Sequence, residues 1–155
     1  MSTSTDRDQP GAPQRPCVVR GLVSGHAAGL GRWTPRYAPA TFRAAWWAAL
    51  SLRRARRRLK AQSHLARVPP PPPWLPFGAA RGVNAILRRT KPTCLERATV
   101  LQAWLAAHGH AVDIVIGVLL SSGTLSAHAW IDSDTADAGE FAEISRVGPP
   151  MKAPV

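Results

Sequence analysis

Two residues of the sequence, Cys94 and His128, have the types and surroundings that thiol chemistry requires. Cys94 follows Thr93, which together with Glu96 forms a capping-box pattern, so we expect the cysteine in the first turn of a helix. The backbone amides and the partial positive charge at a helix start favour the thiolate, which is the nucleophilic form. The alternative is that Cys94 is only a small buried apolar residue.

A nucleophilic thiol needs a base, and His128 is the best-placed histidine for that role. It lies in a predicted strand over residues 125–132, and Trp130, two residues further on the same face, is placed to shield the imidazole from water. A lone histidine on a strand is more often structural, but a cysteine at a helix start on another element favours catalysis. His108 and His110 flank a helix-ending glycine, and we expect both to face solvent.

A third residue, a carboxylate, would orient the imidazole. Asp132 is four residues from His128 along one strand, about 13 Å, which is too far for a hydrogen bond. A tight turn after Asp132 would bring Glu140 roughly opposite His128, and a shifted turn would bring Asp137 or Glu143 there instead. We favour Glu140. The alternative for each of these acids is a solvated residue at the edge of the sheet.

The elements that would position these residues are clearest in the second half of the chain. The spacing predicts a helix over residues 93–108, which ends at Gly109 and is apolar on more than one face, as is typical of a central helix. Strands are predicted over residues 112–120, 125–132 and 140–147. Helices followed by an antiparallel meander indicate an α+β fold in which a small sheet packs on the central helix.

The first half of the chain is basic and rich in proline. Phe42, Ala45, Trp46, Ala49 and Leu52 recur at helical spacing, and residues 53–60 are almost entirely basic. The proline run is interpreted as a stiff spacer, with a docking ligand for an SH3-like domain as the alternative. The predicted organisation is a disordered or poorly ordered tail (1–38), a basic amphipathic helix (39–68), a proline-rich spacer (69–78), a core (79–147) and a second tail (148–155).

Composition limits the classes of function. The chain has 155 residues, 45% of them hydrophobic, which is enough for one domain with a modest core. A net charge of +11 favours acidic partners, and its alternative meaning is simple solvation. With only Cys17 and Cys94, a disulfide scaffold or a four-cysteine zinc site is excluded. The sequence has neither a secretory signal nor a membrane-span pattern, so we expect a cytoplasmic, reducing location.

Several short motifs together resemble one known family. Cys-Leu-x-Arg opens the helix at residue 94, Ile-Gly-Val follows at residues 116–118, and Ala-His-Ala-Trp follows at residues 127–130. Their order and spacing are similar to those of the lasso-peptide biosynthesis B2 proteins, which are leader peptidases of the transglutaminase-like superfamily. The likeness covers about residues 80–147, and Ala98 stands where the family commonly has serine.

The resemblance implies a transglutaminase-like, papain-like cysteine peptidase core with a helical, basic N-terminal part. Cys94, His128 and Glu140 would form the triad, and a ribosomally made precursor peptide would be cut at its leader–core junction through an acyl-enzyme. The Cys94 backbone amide would be the first oxyanion donor. The implied partners are the precursor, a separate leader-recognition protein and an ATP-dependent cyclase. Neither a cofactor nor a metal is expected.

Two other functions remain open at this point. The same triad would also serve acyl transfer to an amine, as in transglutaminases. A non-enzymatic adaptor would instead bind nucleic acid or membrane through residues 53–60, with Cys94 inert and binding that weakens steeply with salt. We do not expect nucleic-acid binding, because few aromatic residues accompany the arginines. A further hypothesis is that residues 53–60 contact the precursor or the recognition protein.

Overall fold

The architecture consists of helices followed by a small sheet. The computed structural model describes residues 39–62, 66–134 and 139–149, so the tails predicted over 1–38 and beyond 149 lie outside the described residues. Within these ranges the elements are α1 (Pro39–Gln62), α2 (Ala80–Thr90), α3 (Cys94–Ala107), β1 (Ile114–Ser121), β2 (Thr124–Ile131) and β3 (Ala142–Val147). A short 3-10 turn, Phe77–Ala79, leads into α2.

α1 begins at Pro39, which suits a first helical turn because proline has no N–H to satisfy there. The helix ends at Gln62 instead of reaching residue 68, and Ala66 and Val68 are buried in chain that is not helical. Gly82 of α2 lies so close to α1 that a Cβ at this position would collide with the Thr41 carbonyl. The two helices therefore pack almost backbone to backbone.

The buried face of α1 differs from the predicted stripe. Phe42 is 60% exposed and Trp46 is 70% exposed, although both belong to the apolar pattern that the sequence predicts to be buried. Small residues on the neighbouring face allow the close approach of α2, so that face is buried instead. Its members, at helical spacing, are Ala44, Trp47, Ala48, Ser51, Leu52 and Ala55.

The proline-rich segment does not separate α1 from the remainder of the chain. Val68 and Leu75 are buried in one core with α1, α2 and α3. Within that core the rings of Trp47 and Trp104 lie 5.5 Å apart. An extended proline segment still offers apolar surface, and here it closes one side of the helical core. The prediction of a separate spacer was therefore wrong.

α3 lies between this helical core and the sheet. Val100 and Trp104 face α1 and α2, whereas Ala98 packs in a second cluster against β1 and β2. Helix α3 is thus buried on more than one face, as its sequence predicted. It is the central element of the described structure.

The sheet is antiparallel with the order β2-β1-β3. This order corrects the predicted meander, in which β2 would have been central. β1 takes the centre because it is apolar on both faces, with Ile114 and Val115 each 2% exposed. A tight turn with positive φ at Ser122 and Gly123 pairs β1 with β2, and the longer connection after β2 returns β3 to the other side of β1. The predicted α+β fold is confirmed.

Candidate active site

Cys94 is the first residue of α3, directly after its cap. Both bonds of the predicted capping box are present: the Glu96 N–H donates to Thr93 Oγ1 at 3.3 Å, and the Thr93 N–H donates to Glu96 Oε2 at 3.1 Å. The same Glu96 oxygen accepts from Arg56 Nε of α1 at 3.2 Å. The turn that carries the sulfur is therefore held from two sides, while Cys94 itself is only partly buried.

The structure brings Cys94 and His128 together. A hydrogen bond from the His128 side chain is the largest cause that lowers the pKa of the Cys94 thiol. Burial acts in the opposite direction, and further lowering of the pKa comes from backbone hydrogen bonds of Ala129 and Leu95 and from the charge of His128. The net effect is a pKa below that of an ordinary thiol, which favours the nucleophilic thiolate.

The position of the sulfur follows from the sheet register. His128 pairs with Gly117 and Ala129 pairs with Ile116, so the His128 and Ala129 side chains lie on opposite faces of β2. Cys94 is hydrogen-bonded to the His128 side chain and to the Ala129 backbone. β2 is an edge strand of the sheet, so one of its two edges is not paired with β1. A sulfur beside that outer edge can make both contacts.

Two aromatic rings surround the imidazole of His128. Trp130 stacks on it with ring centroids 5.9 Å apart, and Phe141 lies 5.2 Å away. Trp130 is 7% exposed, which agrees with its predicted shielding role. Gly117 makes room for this arrangement, because a Cβ there would lie 2.8 Å from the Trp130 ring. Phe141 was not found from the sequence, although its position directly after Glu140 was a usable signal.

The candidate acids occupy different surroundings. Arg146 approaches Asp132 at 3.7 Å and Glu143 at 2.9 Å. The hydrogen bond from Arg146 is the main cause that holds the pKa of Glu143 below its usual range. Both carboxylates are thus engaged by one guanidinium, which disfavours them as partners of His128. Asp137 lies outside the described residues.

Glu140 is exposed and precedes β3. The expectation that it lies opposite His128 on a neighbouring strand was wrong in its geometry, because β3 pairs with β1 and the strand partner of His128 is Gly117. The adjacent Phe141 nevertheless contacts the imidazole ring. The segment that carries Glu140 therefore does approach His128, and the triad role of Glu140 stays a prediction.

His108 does not face solvent as predicted. Its Nδ1 lies 2.7 Å from the Trp104 carbonyl oxygen, and its Nε2 lies 2.9 Å from the Leu75 carbonyl oxygen. The ring also packs on Trp104 with centroids 4.4 Å apart. The sequence gives no sign of this contact because Leu75 is distant along the chain. His108 anchors the end of α3 to the proline-rich segment.

The basic segment of α1 is divided between structural and exposed residues. Arg56 binds Glu96, and Arg58 donates to the Arg67 carbonyl oxygen at 2.8 Å. Arg53, Arg54 and Arg57 are exposed. These three arginines are therefore better suited to contacting a partner than Arg56 and Arg58, whose side chains bind other parts of the fold.

Comparison with known families agrees with this geometry. The family model of the transglutaminase-like superfamily matches residues 39–147. The chain belongs to the transglutaminase-like superfamily. Its members typically have cysteine peptidase or acyltransferase activity. The superfamily match begins with α1, in agreement with the shared helical core.

No curated protein and no solved structure matches the chain significantly. Among the described residues, no group of three or more histidine, cysteine, aspartate and glutamate side chains is arranged to hold a metal ion. None of the helices in the described ranges is both long enough and apolar enough to cross a membrane.

Proposed function

We propose that this protein is a cysteine peptidase that removes the leader from a ribosomally made lasso-peptide precursor. The observation that carries the proposal is the hydrogen bond between His128 and the Cys94 thiol at the start of α3. The superfamily membership supports thiol chemistry, and the motif resemblance to the B2 proteins supports the choice of substrate. Cys94 is the proposed nucleophile, His128 the base and Glu140 the residue that orients the imidazole.

The proposed reaction has two steps. The Cys94 thiolate attacks the carbonyl carbon of the scissile peptide bond, and the Cys94 backbone amide stabilises the oxyanion. The C–N bond then breaks, and protonated His128 gives its proton to the leaving amine, which leaves a thioester on Cys94. In the second step His128 accepts a proton from water, the hydroxide attacks the thioester, and the thiolate is regenerated.

The proposed setting is the cytoplasm, with a separate leader-recognition protein and an ATP-dependent cyclase as partners. The exposed basic residues of α1 are the proposed contact surface for the precursor or the recognition protein. Arg56 is excluded from this surface, because its ion pair with Glu96 supports the first turn of α3. Charge reversal at Arg56 would therefore disturb the site directly, whichever partner binds.

The deciding experiment incubates the protein with a candidate lasso-peptide precursor, in the presence of a leader-recognition protein. We expect mass spectrometry to find free leader with wild type and none with Cys94→Ala. Cys17→Ala is the matched control, since it removes the only other cysteine, and it should cleave like wild type. Cleavage by the Cys94→Ala variant would refute the peptidase proposal. An amide adduct in place of a free carboxylate would show acyl transfer instead of hydrolysis.

A further inference from the structure

We infer that the open edge of β2 binds the substrate as an added, extended strand and that the apolar residues beside this edge hold its side chains. These residues, Val118, Leu120, Leu125 and Ala127, are called the hairpin shelf. The inference rests on the proposed function and describes how the same site would bind its polypeptide substrate. Its ligand class is an extended peptide with an apolar side chain near the bond that is cut.

The direction of the β2 backbone groups follows from the bond to Cys94. The Ala129 amide donates to the Cys94 sulfur, so it points away from β1. In an antiparallel pair, the N–H and C=O of a residue point to the same side, and the side alternates with each residue. The N–H and C=O of Ala127 and Leu125 therefore also point outward, along the edge on which no described strand pairs with β2.

The hairpin shelf is the part of this sheet face that α3 does not cover. Val118 pairs with Ala127 and Leu120 pairs with Leu125, and all four share the face that α3 covers further along the strands. Ile131 on that face is 2% exposed beneath α3, whereas Leu125 is 69% exposed and Leu120 is 71% exposed. Because α3 begins at Cys94, the nucleophile lies at the boundary between the covered and the open part of this face.

The dimensions suit a short peptide segment. Ala127 lies about 7 Å and Leu125 about 13 Å along the strand from Ala129, which contacts the sulfur. An extended peptide paired with Ala127 would therefore have its reacting carbonyl within one or two residues of that pairing. Alternate side chains of the peptide would fall on the shelf, where Leu120 and Leu125 favour an apolar group.

The two edges of the sheet differ in a way that supports this assignment. Exposed edge strands are commonly protected by charged residues against pairing with other chains. β3, the opposite edge, carries Glu143 and Arg146. β2 has no lysine, arginine, aspartate, glutamate or proline over its whole length, and its one histidine, His128, is the proposed base. Its open edge is thus compatible with strand addition, and it lies next to the proposed nucleophile.

Labelling of Cys94 tests the inference independently of peptide cleavage. Acetylated tripeptide chloromethyl ketones with leucine at each position in turn are compared with iodoacetamide in the Cys17→Ala background. In both reactions the thiolate displaces a halide and forms a thioether, but only the ketones carry a backbone that can pair with β2. The ratio of the two rates therefore reports peptide recognition, while iodoacetamide alone reports the reactivity of the thiolate.

Two variants remove different parts of the proposed contact. Ala127→Pro removes the outward N–H while sparing the bonds to β1, and Leu125→Ser removes an apolar side chain and leaves the backbone intact. We expect each variant to slow labelling by the ketone that reacts fastest with wild type about five- to tenfold, which corresponds to the loss of one contact. The iodoacetamide rate should be unchanged. Ile144→Ser is the matched control, because Ile144 is 62% exposed on β3, and both rates should stay at wild-type values.

The inference is overturned if the ketone rate stays at the wild-type value in both edge variants, or if it falls only in parallel with the iodoacetamide rate. Circular dichroism identifies a misfolded variant, and if Ala127→Pro misfolds, Leu125→Ser decides. The peptidase proposal fails separately, when wild type leaves the precursor intact or when Cys94→Ala still cuts it. Labelling that depends on the β2 edge would then still support peptide binding.

Discussion

The two ends of α3 each bring a histidine into contact with other elements, with different results. At the start, the half-buried Cys94 accepts a hydrogen bond from His128, a residue of the edge strand β2. At the end, His108 is a structural link, since its two nitrogens lie 2.7 and 2.9 Å from two backbone carbonyl oxygens. The comparison shows that the role of a histidine depends on its neighbours more than on its residue type. The imidazole of His128 lies beside a thiol and could take part in a reaction, whereas the imidazole of His108 lies between two carbonyl groups that hold it in place.

The largest expected effect is the loss of His128. We expect His128→Ala to lower the cleavage rate about 10²- to 10⁴-fold, because the thiolate loses its proton acceptor and donor. The hydrogen bond from His128 is the main cause of the lowered pKa of Cys94. The pH at which iodoacetamide labelling is half-maximal should therefore move upward in this variant. An unchanged pH profile would contradict the pairing of Cys94 with His128.

The next effect concerns the third residue of the proposed triad. Glu140→Gln should reduce kcat by at least about tenfold, since the amide no longer stabilises the protonated imidazole. Asp132→Asn and Glu143→Gln are matched controls, because Arg146 binds both carboxylates, and their rates should stay near wild type. A large loss in either control with none in Glu140→Gln would assign the role to that control residue.

At the other end of α3, the effect should appear in stability. His108→Ala should reduce the free energy of unfolding by about 1–3 kcal/mol, because it removes the hydrogen bond that the ring N–H donates to one of the two carbonyl oxygens, as well as the packing of the ring on Trp104. The activity of the folded fraction should be unchanged. Thermal unfolding and kcat measured well below Tm check this pair of outcomes. His110→Ala is the control, since His110 is exposed, and a larger loss of stability there would reverse the assignment.

The smallest effect should come from the surface of α1 near the start of α3. Reversing three of the exposed charges of α1, by Arg53→Glu, Arg54→Glu and Arg57→Glu, should raise KM for the precursor about three- to tenfold at low salt and leave kcat unchanged. The control reverses three exposed arginines of α2, namely Arg81, Arg88 and Arg89. Equal effects in both triple variants would indicate a general charge effect instead of a contact surface on α1.

The parts of the fold that local sequence signals determine were predicted well. Thr93, Glu96 and Gly109 mark both ends of α3, and the alternating apolar residues mark the strands. The order of the strands was not predicted, because pairing depends on which strand can be buried on both faces. The buried face of α1 was misassigned for a similar reason. Two apolar stripes compete on that helix, and the glycine that selects one of them lies on α2.

In the candidate site, too, the features set by local sequence were predicted and those set by long-range pairing were not. Cys94 could be located from its helix cap and His128 from its strand and its neighbour Trp130. The Phe141 contact, and the binding of Asp132 and Glu143 by Arg146, depend on the crossing of the chain to the far side of β1. No local pattern specifies that crossing. Residues brought together by it could only be proposed as alternatives.

The contact between Glu96 and α1 has a practical consequence for where the folding unit begins. One carboxylate oxygen of Glu96 accepts hydrogen bonds from both the Thr93 N–H and the Arg56 guanidinium. A truncation that starts after α1 would keep every proposed catalytic residue, because all of them lie later in the chain. It would nevertheless strip the cover from Trp104 and leave the first turn of the cysteine's helix supported from one side only. The smallest fragment worth expressing therefore starts before Pro39, not at the proline run.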